Sequence, residues 1–143
     1  MKITSPEFRN NEDIPLKFTC QGEDISPALK LEDIPQEARS LALIVDDPDA
    51  PMGTWVHWVV YDIPALPEIE EDTIPGKQGV NDFGRTNYGG PCPPSGTHRY
   101  FFKAYALDTM LGLKEGINKG TLEKAMEGHI LDKAELIGLY KKR

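Results

Sequence analysis

Short apolar runs separated by proline- and glycine-rich turns dominate most of the chain. Leu41 to Val45 is continuously apolar, which is typical of a strand that is covered on both faces. Trp55 to Tyr61 and Tyr100 to Leu107 carry the aromatic and β-branched residues that favour strands. Twelve prolines and thirteen glycines punctuate these runs. The pattern predicts a mainly β protein that forms a single domain over residues 1–143.

One segment near the end of the sequence has helical periodicity instead. Its apolar side is formed by Leu122, Ala125, Met126, His129 and Ile130. Thr121 is a suitable N-cap for this helix, and Glu123 would lie in its first turn. The spacing predicts a short helix in which His129 is a structural side chain, followed by a closing strand from Glu135 to Tyr140.

Charge and hydropathy restrict the partners and the location. The chain has 16 basic and 23 acidic side chains, a formal net charge of −7 that repels a phosphate backbone. We therefore expect no nucleic-acid partner. No run reaches the length of a membrane span, and the N-terminus has no apolar stretch that would direct secretion. We expect a cytoplasmic protein with no integral membrane segment and no cofactor.

The two cysteines, Cys20 and Cys92, are far apart in the sequence, and neither belongs to a paired-cysteine motif. A zinc knuckle or a dithiol redox centre is therefore not expected. Two isolated buried thiols are the simplest expectation, and the expected cytoplasmic location argues against a bridge. The sequence does not give the distance between the two Cα atoms, so a disulfide remains open.

Chemistry-bearing side chains concentrate in two loop-to-strand segments. These are residues 47–58 and residues 90–100. In the second segment, His98 and Tyr100 share one strand face, because alternate residues of a strand point the same way. Residues so placed are about 7 Å apart, so an imidazole and a phenol can reach one small ligand. Arg99 points away, and we expect it to form a structural ion pair with Asp49.

The first segment adds a carboxylate and a second imidazole. Asp47 can orient an imidazole, favour its charged form or receive the ammonium group of a zwitterionic ligand. Strand alternation puts His57 on the face of Trp55 and Tyr61, opposite to Trp58. We expect these three aromatic residues to lie in the core.

Glycines and prolines near these side chains favour a small oxyanion as the ligand. Main-chain amides around Gly89, Gly90 and Gly96 can approach a ligand closely because no Cβ blocks them. Together with the imidazoles and the phenol, they suit a phosphate or carboxylate that carries a nearby positive group. The Ala50–Pro51 peptide bond is a candidate for the cis form, since it lies in a tight turn beside the expected site.

Both segments resemble the signature segments of the phosphatidylethanolamine-binding protein family, also called Raf kinase inhibitor-like proteins. Similar stretches lie at residues 22–29, 81–84, 125–129 and 138–140, so nearly the whole chain resembles the compact prokaryotic branch. The resemblance implies an antiparallel two-sheet β-sandwich with one or two short helices, and an anion pocket. The ligand-binding residues that we expect on this basis are Asp47, Asp49, Pro51, His57, Gly90, Pro91, His98 and Tyr100.

Several functions are compatible with this pocket. A small-anion binding protein, with regulation of a partner protein as an extension, is the leading hypothesis. The resemblance adds a protein inhibitor of serine proteases or kinases, and it is compatible with a homodimer. A hydrolase that uses His57 or His98 as general acid or base lacks an accompanying nucleophile motif. A metal site at Asp47, His57 and His98 lacks a short ligand repeat.

Overall fold

The computed structural model describes all 143 residues, which form nine strands and one α-helix. The strands are β1 (Lys2–Thr4), β2 (Glu12–Asp13), β3 (Leu29–Glu32), β4 (Ser40–Asp47), β5 (Trp55–Ile63), β6 (Glu68–Ile69), β7 (Lys77–Gln78), β8 (His98–Leu107) and β9 (Ile130–Tyr140). The helix α1 is Lys119–Met126, and Leu16–Phe18 forms a short 3₁₀ turn. No helix is both long enough and apolar enough to cross a membrane.

The strands form two sheets, as predicted. The large sheet has the order β2-β9-β8-β4-β5-β7, and the small sheet has the order β1-β3-β6. Every pairing is antiparallel except that between β2 and β9, which is parallel. The prediction of a mainly β, two-sheet fold is confirmed, and the structure has one α-helix.

The large sheet is covered on both of its faces. On one face it packs against the small sheet, and Leu41, Leu43 and Val45 of β4 join a cluster of 20 buried residues there. On the other face, Ala42 and Ile44 join a cluster of 8 buried residues beneath α1. All eight residues of β4 are buried, so the continuous apolar run did indicate a strand covered on both sides.

Helix α1 begins earlier and ends earlier than the sequence pattern predicts. Its N-cap is Asn118, whose Oδ1 accepts a hydrogen bond from the amide of Thr121 at 2.8 Å, so Thr121 lies inside the first turn. The helix ends at Met126, and Gly128 follows with a φ of 79°. Apolar spacing alone missed both boundaries, because the capping amide and the turn glycine decide them.

Two residues assigned to the helical face lie outside α1. His129 follows the helix, and its Nδ1 is 2.8 Å from Oδ1 of Asp108, so it contacts a carboxylate. Ile130 is already the first residue of β9, which therefore starts before the predicted strand at Glu135. The prediction of a longer helix is wrong here, although β9 does contain the predicted closing strand.

Cys20 and Cys92 form a disulfide with a Cα–Cα distance of 5.5 Å across 72 residues of sequence. The expectation of two isolated buried thiols is therefore wrong, and Cys20 lies at the surface. The fold brings together two cysteines that no local sequence pattern connects, so neither sequence spacing nor the expected compartment predicts this bridge. The Ala50–Pro51 peptide bond is trans, as are all others in the chain.

Candidate functional site

One pocket, of about 240 Å³, lies where the ends of β4, β5 and β8 meet. The predicted residues that line it are Asp47, Pro51, His57, His98 and Tyr100. The remaining lining residues are Ala50, Trp55, Phe83, Cys92, Pro93 and Pro94. The pocket thus combines a polar floor of carboxylate, imidazoles and phenol with a mostly apolar wall.

Strand β8 delivers His98 and Tyr100 to this floor. Both side chains lie on the buried face of the strand, as alternation predicts. Nδ1 of His98 is 2.7 Å from Oδ2 of Asp47, the last residue of β4. Because an ionised carboxylate can only accept, the imidazole donates from Nδ1 and its Nε2 is the ring atom left for a ligand. Oδ1 of Asp47 accepts the amide of Asp49 at 2.7 Å, which fixes the carboxylate.

A β-bulge places His57 in the same pocket. In the pairing of β4 with β5, Val45 lies opposite Trp58 but Asp46 lies opposite Val56, so His57 is an extra residue between them. The bulge breaks the alternation, and the ring of His57 lies against Tyr100 with centroids 5.2 Å apart.

The predicted face assignment of β5 is therefore wrong in part. Trp58 lies in the cluster between the two sheets, whereas Val59 and Tyr61 lie beneath α1. His57, which contacts Tyr100 of the inter-sheet cluster, is not on the side of Tyr61. Trp58 and Tyr61 are core residues as predicted, but Trp55 is 37% exposed at the pocket wall.

The protonation of His57 is set by its surroundings. Its Nδ1 is 2.7 Å from the carbonyl oxygen of Gly89, which can only accept, so Nδ1 carries a proton. Burial lowers the pKa of His57, and the hydrogen bond to Gly89 offsets that effect only in part. The imidazole is therefore neutral near pH 7, and its Nε2 is a hydrogen-bond acceptor.

Asn81 holds the loop that completes this side of the pocket. Its Nδ2 donates to the carbonyl oxygens of His57 and Asn87 at 3.1 and 2.7 Å. Its Oδ1 accepts the amides of Phe83 and Arg85, both at 3.0 Å. Asn81 is 4% exposed. With all its hydrogen-bonding groups in use, this one side chain fixes both the bulged strand and the loop.

Phe83 and Trp55 form the apolar wall at the mouth. Their rings meet edge to face with centroids 5.5 Å apart, and Phe83 also lies 5.3 Å from the ring of His57. Sequence reasoning missed Phe83, although the stretch 81–84 belongs to the family resemblance. At the floor, burial raises the pKa of Tyr100 well above its usual value, so the hydroxyl keeps its proton.

Three predicted site residues lie behind the pocket and do not line it. Asp49 accepts two hydrogen bonds from the Arg99 guanidinium at 2.8 and 2.9 Å, which confirms the predicted ion pair. The amide of Gly90 donates to Oδ1 of Asp24 at 2.7 Å, and the carbonyl oxygen of Pro91 accepts the amide of Cys20 at 3.1 Å. These residues support the wall of the pocket.

Comparison with known proteins assigns this arrangement to a family. The family model described as phosphatidylethanolamine-binding protein matches residues 4–141. The chain belongs to the phosphatidylethanolamine-binding protein family. A UPF0098 protein of Pyrococcus horikoshii is 52% identical over 100% of this chain and 77% of its own length. Another, from Methanothermobacter thermautotrophicus, is 49% identical over 99% of both chains.

Solved structures of phosphatidylethanolamine-binding proteins share this fold. A crystal structure of a homologue from Chlamydia trachomatis superposes with a TM-score of 0.96 at 46% identity, over 99% of this chain and 97% of that one. Escherichia coli YbcL, a member of the mammalian family, gives a TM-score of 0.91 at 30% identity, over 99% of this chain and 98% of its own. The resemblance inferred from the signature segments is confirmed.

Proposed function

We propose that this protein binds a small oxyanion, either a phosphate or carboxylate or the phosphoryl group of a larger molecule. The observation that carries the proposal is the convergence of His57, His98 and Tyr100 on one pocket floor. Each imidazole has its Nδ1 committed to a protein acceptor, at 2.7 Å in both cases, so each ring is held in position. Rings held in this way offer a ligand their Nε2 atoms in a fixed geometry.

The hydrogen-bonding capacity of the floor indicates which form of the anion fits. A neutral His57 presents a lone pair at Nε2, so an oxyanion needs one further proton, either on that ring or on the ligand itself. Tyr100 supplies a hydroxyl donor, and an imidazolium at His98 would be balanced by Asp47. We therefore favour ligands that bind together with a proton, such as the monoanionic form of phosphate.

The apolar wall favours a ligand with a body beyond its anionic group. Trp55, Phe83 and Pro94 flank the mouth, so a ligand reaching outward would meet rings. Each oxygen of Asp47 already accepts one hydrogen bond, which leaves about half of the acceptor sites of the carboxylate for a ligand ammonium group. A positive group on the ligand would also be stabilised by the aromatic faces of the wall.

Calorimetry with inorganic phosphate, phosphoethanolamine and acetate tests this function. We expect binding of at least the phosphates, and a loss of about tenfold or more in affinity for His98→Gln, because a charged hydrogen bond contributes about 1.5–3 kcal/mol. His129→Gln is the matched control, since this exposed histidine also contacts a carboxylate but is remote from the pocket. Absence of binding for all three anions, or full affinity in His98→Gln, would refute the proposal.

A hydrolase is the second candidate, and one observation favours it. Asp47 and His98 form the pair of orienting carboxylate and imidazole that general bases use. No serine or threonine lines the pocket, and Cys92 is bridged, so this candidate uses a water molecule activated by His98 as its nucleophile. Turnover of a chromogenic aryl phosphate or aryl acetate that is abolished in His98→Gln would support this candidate.

Three further expectations from the sequence remain predictions. They are inhibition of a protease or kinase, formation of a homodimer and a cytoplasmic location.

A further inference from the structure

The disulfide is part of the pocket itself. Cys92 lines the cavity, and so do the two prolines that follow it, Pro93 and Pro94. Its partner Cys20 lies at the surface, just after the 3₁₀ turn Leu16–Phe18. The bridge therefore connects the pocket wall to Cys20, an exposed residue on the surface of the molecule.

The stretch that the bridge anchors, residues 92–97, has little else to hold it. We call this stretch the wall segment. Its main chain takes part in no backbone–backbone hydrogen bond. Two of its residues are prolines, which have no amide hydrogen to donate. The loop opposite, by contrast, is held by the side chain of Asn81.

The other end of the bridge is firmly held. The amide of Gln21 donates to Oγ1 of Thr19 at 3.2 Å, and Thr19 in turn donates to the carbonyl oxygen of Leu16 at 2.8 Å. The side chain of Gln21 also exchanges hydrogen bonds with the main chain of Arg143 at 2.8 and 3.0 Å. On the pocket side, the amide of Cys20 donates to the carbonyl oxygen of Pro91 at 3.1 Å, and no such bond holds the residues that follow. Breaking the bridge would therefore release the stretch after Pro91.

We propose that Cys20–Cys92 is a thiol-exchange site at which small thiols control the ligand pocket. In this step a small-molecule thiolate attacks the sulfur of the exposed residue Cys20, the bridge breaks and Cys92 leaves as a thiolate that takes up a proton. A second thiol then displaces Cys20 and leaves as the small-molecule disulfide. Two thiols are oxidised and one bridge is reduced, so atoms and electrons balance.

Reduction then loosens the wall segment and weakens binding, a consequence that rests on the proposed anion function. Cys92, Pro93 and Pro94 line the same cavity as His98 and Tyr100, and we expect them to shield the floor from solvent. Without this shield, water reaches the floor and screens the interaction between imidazole and anion. We expect affinity for inorganic phosphate to fall about tenfold on reduction and to recover on reoxidation.

The experiment compares the oxidised full-length protein, the protein reduced with dithiothreitol and the variant Cys20→Ser. This variant removes the bridge and leaves Cys92 in the wall. Hydrogen exchange along β8 and β9 checks that the sheet stays folded, and phosphate affinity is measured by calorimetry. Acrylamide quenching reports the opening of the pocket without any ligand, because Trp55 is 37% exposed and Trp58 only 1%.

We expect stronger quenching and weaker phosphate binding in both bridge-free forms, with β8 and β9 still protected, and dithiothreitol should not change Cys20→Ser further. Unchanged quenching would overturn the proposal, as would loss of protection throughout β8 and β9. Stronger quenching with full phosphate affinity would also overturn it. If the oxidised protein binds no phosphate, the anion function fails for that probe, while quenching still decides whether the bridge controls the opening of the pocket.

Discussion

The two pocket imidazoles differ in the acceptor that faces Nδ1. His98 faces the carboxylate of Asp47, whereas His57 faces the neutral carbonyl group of Gly89. Burial lowers the pKa of His57, so this ring stays neutral in the free protein at pH values where an exposed histidine begins to charge. If an anion binds only when His57 is protonated, its binding must therefore be accompanied by the uptake of a proton.

Sulfate binding should consequently depend on pH. The charge of sulfate is constant near neutrality, so any proton taken up on binding is bound by the protein and not by the ligand. Above the lowered pKa of His57, uptake of one proton makes affinity rise by up to about tenfold for each unit of falling pH. Once the pH falls below that pKa, the free protein is already protonated and the rise levels off. Calorimetry between about pH 5.5 and 8.5, in buffers of different ionisation enthalpy, counts the protons. A flat affinity without proton uptake would contradict this.

The Asp49–Arg99 ion pair makes a prediction about stability. Hydrogen bonds from Arg99 lower the pKa of Asp49 to about 2. Since the unfolded value is about 3.9, the stabilisation is complete above that pH and is lost as the pH falls through about 2. The pair is largely exposed, so Asp49→Asn should cost about 0.5–1 kcal/mol at pH 7. Urea unfolding should show that the difference disappears near pH 2, and a difference equal at both pH values would argue against the ion pair as its cause.

At the residue scale, the sequence revealed the polar floor better than the wall. Asp47, His57, His98 and Tyr100 carry distinctive chemistry beside turn residues, and the fold does bring them together. The sequence did not indicate that Phe83 lines the pocket, because the same apolar residue type occurs in loops with and without a pocket. Its position depends on Asn81 and on a chain path that strand alternation does not describe.

At the scale of elements, strand interiors were easier to predict than their irregularities. Because β4 is buried on both faces, most of its sequence is a continuous apolar run, and that run predicted the strand. The bulge at His57 left no trace, since an inserted residue depends on pairing with a neighbouring strand rather than on local propensity. The predicted boundaries of α1 were wrong for a similar reason. A helix cap depends on a single hydrogen bond, which the 3.6-residue period of the apolar residues does not encode.

Substitution by alanine at two glycines, one in α1 and one in β9, should have opposite effects on the stability of the protein. At Gly120 in α1, a Cβ would meet only Oδ1 of Asn118 at 3.5 Å, so Gly120→Ala should stabilise the protein by about 0.5–1 kcal/mol. At Gly138 in β9, a Cβ would lie 2.4 Å from Cγ1 of Ile14 and 2.8 Å from Cε2 of Phe8. Gly138→Ala should therefore destabilise by about 1–3 kcal/mol. Thermal unfolding of both variants checks this, and shifts of the same sign would contradict it.

At the scale of the whole molecule, the features that the sequence did not reveal are long-range ones. The disulfide spans 72 residues, and the parallel pairing of β2 with β9 joins opposite ends of the chain. Two residues far apart in sequence become neighbours only when the intervening strands have their final order. The family resemblance predicted the two-sheet architecture, but the expected location of the protein did not predict the disulfide.

The two hydrophobic clusters raise the question of whether the molecule unfolds as one unit. Leu43 lies between the sheets, and Leu122 of α1 lies in the other cluster, across the large sheet. Each substitution to alanine should cost about 2–5 kcal/mol, because both side chains are almost fully buried. Since the two residues belong to separate clusters, the double variant should show the sum to within about 0.5 kcal/mol.

A single transition is expected in every variant, because β4 contributes to both clusters. If α1 unfolded alone, Ile44 on the same strand as Leu43 would lose its cover, and that exposure couples the helix to the sheet. Guanidinium unfolding followed by far-UV circular dichroism and by tryptophan fluorescence should therefore give coincident curves. An early far-UV change in Leu122→Ala, with Trp58 fluorescence still native, would show instead that α1 melts independently of the two-sheet core.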